Sequence, residues 1–150
     1  GVQLESAARI LQNLAAAGIA TFVYIMLGTP GETEADAEQT LAFLEQHAAE
    51  IGFLNLSIMN LPRASGLLDN PELYGISSAA PIGDENPLGL YQQFSSSGDW
   101  NRAAVRRFLD RRLLGSTVIR SIVKRTPPLF TSNHAVFFAD SVVSAPLQDR

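Results

Sequence analysis

The chain of 150 residues is 46% apolar and 17% charged, with a net charge of -4 and no cysteine. Its size suits one domain, two at most, burying roughly two-thirds of the surface that the unfolded chain exposes. A disordered tail is excluded, as are a disulfide scaffold, a thiolate zinc site and a cysteine-held iron–sulfur cluster within this chain. No apolar run approaches the ~20 residues of a membrane span, so a soluble domain is expected.

Residues 3–17 read as a helix, because Leu4, Ala7, Ala8, Leu11, Leu14 and Ala15 recur at three- and four-residue spacing. Gly18 is its expected stop. The nearly unbroken apolar run 20–27 predicts a strand buried on both faces, as in a parallel sheet. Gly28-Thr29-Pro30-Gly31-Glu32-Thr33 follows, with Thr33 as N-cap and Asp36 at the third helical position completing a near capping box. A helix over about 34–49 sets Ala37, Leu41, Leu44 and Ala48 on one face, and 52–61 gives a second strand. Helix, strand, helix, strand with short connections is a piece of a parallel α/β architecture.

The pattern then loosens. Residues 62–98 hold Pro62, Pro71, Pro81 and Pro87 with five glycines, which predicts a long irregular segment with short helical turns. Residues 100–114 read as a helix with Val105, Phe108, Leu109 and Leu113 inward and arginines outward. Gly115 breaks it, Ser116 caps a further helix over 117–125, and Pro127-Pro128 end that one. Ala135 to Phe138 predict a short strand or apolar anchor.

Charge is divided unevenly. Residues 1–90 carry -9 and residues 91–150 carry +5, the bases clustering from Arg102 to Arg125. Such a segment is either a solvated face that pairs with the acidic half or a surface for nucleic acid or an acidic partner. The arginines are not interleaved with exposed aromatic residues, Phe108 being read as inward, which weighs against the second alternative. Asp110 is expected to pair with Arg106 or Arg111 on the surface, His47 to lie solvated near a helix end, and Trp100 to staple a helix start. His134 is read as a capping or packing residue.

The loop at 28–33 is the feature that points to chemistry. In parallel α/β proteins, ligands bind at the C-terminal ends of the strands. There Gly28 admits close approach, Gly31 permits a positive φ, and the amides of Glu32, Thr33 and Glu34 point from a helix N-terminus. Glu32 is a candidate acceptor for a ribose hydroxyl or an amino group. A plain strand-to-helix turn with an acid favoured by the helix dipole accounts for the same residues. The loop lacks the Gly-Lys-Ser/Thr ending of a Walker A motif.

Three stretches together, Leu14 to Ile19, Val23 to Thr33 and Thr40 to Leu44, resemble the second half of a radical S-adenosylmethionine (SAM) domain. That family shows a helix ending in Ala-Gly-Ile, a strand, Gly-x-Pro-Gly-Glu-Thr and a helix with Thr-Leu-x-Phe. Ser65-Gly66-Leu67 and Pro71 to Ile76 extend the resemblance over about the first 76 residues, toward the branch that often carries an N-terminal cobalamin-binding domain. The resemblance implies an α/β fold: a partial (β/α) barrel fragment with two parallel βα units over 1–76. An irregular region at 77–99 and a mostly helical C-terminal extension at 100–150 follow.

The family's enzymes use a [4Fe-4S] cluster, held by Cys-x-x-x-Cys-x-x-Cys, to cleave SAM into methionine and a 5′-deoxyadenosyl radical that abstracts hydrogen from substrate. The cofactor supplies the hard chemistry and the protein orients it. With no cysteine here, the resemblance implies the C-terminal fragment of a cytoplasmic radical SAM enzyme, inactive alone, whose cluster ligands lie before Gly1. It places Gly28, Thr29, Pro30, Gly31 and Glu32 beside the adenosine of SAM and Met59, Asn60 and Leu61 at the adenine edge. Tyr24, Asn55 and Ser57 would line the barrel interior or ordinary core. Two other function classes stay open: a nucleotide-binding module without iron, and a docking module whose arginine helices hold a partner or RNA. The missing N-terminal half of the parent chain is the implied partner. A cut barrel exposes an edge strand, so the chain is expected either to bury the edge of strand 20–27 with its own C-terminal half, helices 100–125 being the natural cover, or to dimerise. An uncovered monomer would count against the fragment.

Overall fold

The computed structural model describes residues 3–80, 89–96, 98–126 and 139–140. It is a mixed α/β fold with a two-stranded parallel sheet and a three-stranded antiparallel sheet. The predicted helix forms as α1 (Leu4–Ala16) and ends as expected. Gly18 takes φ +70°, its amide donates to the Ala15 carbonyl, and the Ile19 amide reaches back to that of Leu14. This pair of bonds satisfies the last free carbonyls of the helix. Only Leu11 of α1 is buried; Leu4 and Ile10 are exposed.

Strand β1 (Phe22–Leu27) pairs in parallel with β2 (Phe53–Ile58), in the register Phe22 to Phe53 through Leu27 to Ile58. They are joined through α2 (Glu34–Gln46). The capping box forms as predicted: the Thr33 amide donates to Asp36 Oδ2 at 2.9 Å and the Asp36 amide to Thr33 Oγ1 at 3.3 Å. Both strands start close together. The Phe53 amide donates to the Thr21 carbonyl at 2.8 Å, and a Cβ on Gly52 would stand 2.7 Å from that oxygen.

The expectation that β1 is buried on both faces is corrected. Val23, Ile25 and Leu27 face the helices, whereas Tyr24 and Met26 on the opposite face are 57% and 55% exposed. Among the described residues the helices cover one side of this sheet and β1 pairs with β2 alone.

The segment 62–98, expected to be irregular, contains strands. β3 (Leu61–Pro62), β4 (Ile76–Ala80) and β5 (Tyr91–Ser96) form an antiparallel sheet in the order β3-β5-β4, with a bulge between Ile76 and Ser78. Short 3₁₀ turns at Gly66–Leu68 and Pro71–Tyr74 precede β4. The prolines and glycines suggested loop because each β strand here is brief and polar, and pairing partners far apart in sequence leave no local period.

The C-terminal helices are α3 (Arg102–Phe108), a continuing π-helical turn at Leu109–Leu113, and α4 (Thr117–Arg125). The wider turn is marked by the Leu114 amide donating to the Leu109 carbonyl, five residues back, at 2.9 Å. Asn101 and Ser116 are the N-caps. These helices meet the inner face of β1 through the shared core but are not the cover expected for its free edge, since their main strand contacts are with β2. They pack on the β2 side: Leu54 N donates to Thr126 Oγ1 at 3.0 Å and Arg125 Nε to the Gly52 carbonyl at 2.7 Å. Val105, Phe108, Leu113, Ile119 and Ile122 share one core with Leu11, Leu27, Leu41, Leu44 and Leu54. Among the described residues no helix is long and apolar enough to cross a membrane. Residues 135–138 and His134 lie outside the described residues.

His47 differs from its expected solvated state. It is 5% exposed, its ring 4.6 Å from that of Phe43 and its Nδ1 3.7 Å from Glu50 Oε2. The chain turns back sharply after α2, with the Glu50 amide donating to the His47 carbonyl, and this tucks the ring inward. The Asp110 ion pair does not form. Among the described residues the arginine that meets a carboxylate is Arg112, whose Nε lies 2.7 Å from Glu38 Oε1.

Candidate ligand cleft at the strand ends

The loop after β1 is a turn built on two left-handed glycines, Gly28 at φ +74° and Gly31 at φ +82°. Glu32 folds back over it. Its Oε2 accepts from the Gly28 amide and, at 2.9 Å, from Trp100 Nε1. The Glu32 amide donates to the Thr29 carbonyl at 3.0 Å and the Thr33 amide to Asp36. Two of the three amides expected to face a ligand are therefore engaged within the turn and its cap.

A cleft of about 460 Å³ opens against the C-terminal ends of β1 and β2. Gly28, Ile58 and Met59 form one wall, Gln92 to Ser96 of β5 a second, and Trp100 to Ala103 with Val105 a third. Trp100 stands edge-on to Phe108, ring centroids 5.5 Å apart, which fixes the indole in place. Arg102, the first residue of α3, closes one rim. Its Nη1 donates to the Met59 carbonyl at 2.8 Å and its Nη2 to Asn60 Oδ1 at 3.0 Å.

The residues singled out by sequence divide accordingly. Gly28 and Met59 line the cleft, whereas Thr29, Pro30, Gly31 and Glu32 form the turn beside it. Asn60 is held by Arg102, and Leu61 is fully buried, paired with Gln92 in the antiparallel sheet. Tyr24 and Asn55 are register partners on the open face of the parallel sheet. Ser57 shares that face and its Oγ donates to the Ile25 carbonyl at 3.1 Å. The cleft does not include these three.

Sequence reasoning missed β5, Trp100 and Arg102 as parts of this site. The Asn-Arg-Ala-Ala start of α3 carried a usable signal, since Asn101 Oδ1 accepts from both the Ala103 and Ala104 amides at 3.1 Å. The bond between residues 32 and 100 had none.

Comparison with protein-family models, with curated proteins and with solved structures gives no match.

The cleft has an apolar floor of Ile58, Phe94, Val105 and the Trp100 ring, with amide and hydroxyl groups along β5. It is within the ~300–1,000 Å³ of small-molecule sites. Arg102 is its one charged lining residue, and no carboxylate or imidazole lines it among the described residues. Such a lining offers apolar contact and hydrogen bonds to a small molecule. No cluster of three or more metal-ligating side chains occurs among the described residues. Groups with displaced pKa values lie elsewhere. Thr33 bonds hold Asp36 below the usual carboxylate range, and Arg112 holds Glu38 below it while Glu38 raises Arg112.

Proposed function

We propose that the chain is the C-terminal part of a radical SAM enzyme of the cytoplasm, contributing the adenosine side of the cofactor site to a larger partial barrel. The observation that carries this reading is the position of the cleft. It lies against Gly28 and Met59, at the ends of two parallel strands joined by a helix, the region to which the resemblance assigns the adenosine, with Ile58 and Val105 lining it from the helix side of the sheet.

The residues present suit part of the cofactor set. The left-handed glycines and the apolar floor suit a nucleoside-sized ligand, and Glu32 stands beside it as a hydrogen-bond acceptor. The Met59 carbonyl is held by Arg102, so adenine contacts along Met59 to Leu61 require that side chain to move. An iron–sulfur cluster does not fit: the chain has no cysteine. No step of radical formation is therefore derived from these residues, and the cluster ligands are assigned to sequence preceding Gly1. Cobalamin, which the resemblance ties to a separate N-terminal domain, makes no demand on this chain.

The open edge of β1 is where a preceding barrel strand would pair, and the exposed Tyr24 and Met26 would then face the barrel interior. The deciding experiment reads the coding sequence upstream of Gly1 and the length of the native polypeptide. Cys-x-x-x-Cys-x-x-Cys in frame, with 5′-deoxyadenosine formed by the full-length reconstituted protein and none by residues 1–150, supports the reading. A native start near Gly1 without that motif overturns it.

A further inference from the structure

Residues 102–125 hold eight bases and one acid in a chain whose overall charge is -4. The structure sorts these cations. Arg112 is paired with Glu38, and Arg102 and Arg125 bond to backbone carbonyls of the β2 region. Arg106, Arg107, Arg111 and Lys124 are exposed, with no carboxylate within 4 Å among the described residues. Arg120 is exposed too and gives one donor to the Gly115 carbonyl. The solvated-face alternative thus accounts for Arg112 by ion pairing, and leaves Arg106, Arg107, Arg111, Arg120 and Lys124 as an exposed cationic face with no carboxylate within 4 Å among the described residues. On α4, Thr117, Arg120, Ser121 and Lys124 border an open cavity of about 250 Å³.

We propose that this face of α3, the π-helical turn and α4 binds the phosphodiester backbone of RNA. Seven of the eight bases are arginine, whose planar fork matches phosphate oxygens and stacks on unpaired bases, which single strands and loops of RNA offer. A membrane surface is disfavoured, because the apolar side of these helices is already in the core and Val118 alone of their large apolar residues is exposed. This inference is independent of the SAM reading.

The test is fluorescence anisotropy of the 150-residue chain with a labelled 20-nucleotide mixed-sequence RNA, against duplex DNA of the same sequence, polyglutamate and anionic phosphatidylserine vesicles. Four phosphate contacts predict a log–log salt slope of about -3 and roughly 50-fold weaker RNA binding at 200 mM than at 50 mM salt. The exposed double variant Arg107→Glu/Arg111→Glu should lose at least about tenfold and flatten the slope by about 1.5. Arg9→Glu, on α1, should leave binding unchanged, and circular dichroism checks that each variant folds. The proposal is overturned by no RNA binding at 50 mM salt, by equal losses in Arg9→Glu and the double variant, or by tighter binding of DNA, polyglutamate or vesicles than of RNA.

Discussion

Trp100 Nε1 donates to Glu32 Oε2 over 2.9 Å, joining two residues 68 positions apart. The same carboxylate oxygen accepts from the Gly28 amide, so one side chain ties the first strand's loop to the start of the C-terminal helices. Trp100→Phe removes the donor and keeps the ring contact with Phe108. We expect a loss of about 1–3 kcal/mol in urea unfolding. Glu32→Ala, which frees both donors, should cost more than Glu32→Gln, which keeps an acceptor oxygen. Equal stability of all three variants and the parent would show that the bond does not tie the halves together.

Gly28 and Gly31 share a left-handed backbone but differ in surroundings. A Cβ on Gly28 would meet both methyls of Val105 at 3.4 Å, whereas on Gly31 its nearest neighbour is the Tyr74 carbonyl at 4.0 Å. Gly31→Ala should cost about 1–2 kcal/mol from backbone strain. Gly28→Ala should exceed it, since it also presses on a buried core residue. Chemical denaturation of the two variants side by side checks the order.

Core substitutions test whether both parts of the chain fold as one unit. Leu44 on α2 and Ile119 on α4 are both fully buried in the shared core. Either one changed to Ala should cost about 2–5 kcal/mol and move a single unfolding transition. Two transitions, each sensitive to one substitution, would separate the halves.

The pH dependence follows from Glu38 and Asp36. Both have folded pKa values below their unfolded ones, through Arg112 and Thr33 respectively. Their stabilisation is present above the unfolded values and is lost as pH falls through the lower, folded ones, on the acid side of the ordinary carboxylate range. Both sites are exposed, so the effect is small and salt-screened. In thermal scans Glu38→Gln should flatten this acid limb at low salt and match the parent at about 1 M salt.

The open side of the parallel sheet predicts association. Tyr24 and Met26 are exposed beside an edge of β1 that is unpaired among the described residues, and Leu4, Ile10 and Ile19 are exposed on the same α1–β1 unit. Static light scattering of the isolated chain should show concentration-dependent dimers or larger species. Met26→Lys should shift them to monomer. A strictly monomeric parent chain would count against the barrel-fragment reading.

Local rules in the sequence determined α1 with its Gly18 stop, the Thr33–Asp36 capping box, and the order of helix and strand through β2. Each depends on residues within about four positions, where hydrophobic period and capping chemistry act directly. The Gly28 turn was likewise visible as a glycine-built connection from strand to helix. What the tertiary structure decided has a different range. The pairing of β5 with β3 and β4, the burial of His47 and the single-sided cover of β1 all follow from neighbours tens of residues away. So does the third wall of the cleft: Trp100 and Arg102 reach Glu32, Met59 and Asn60 only because the helices pack on the β2 side of the core. Packing free energy chooses that side over the other, and no periodicity in the chain encodes it.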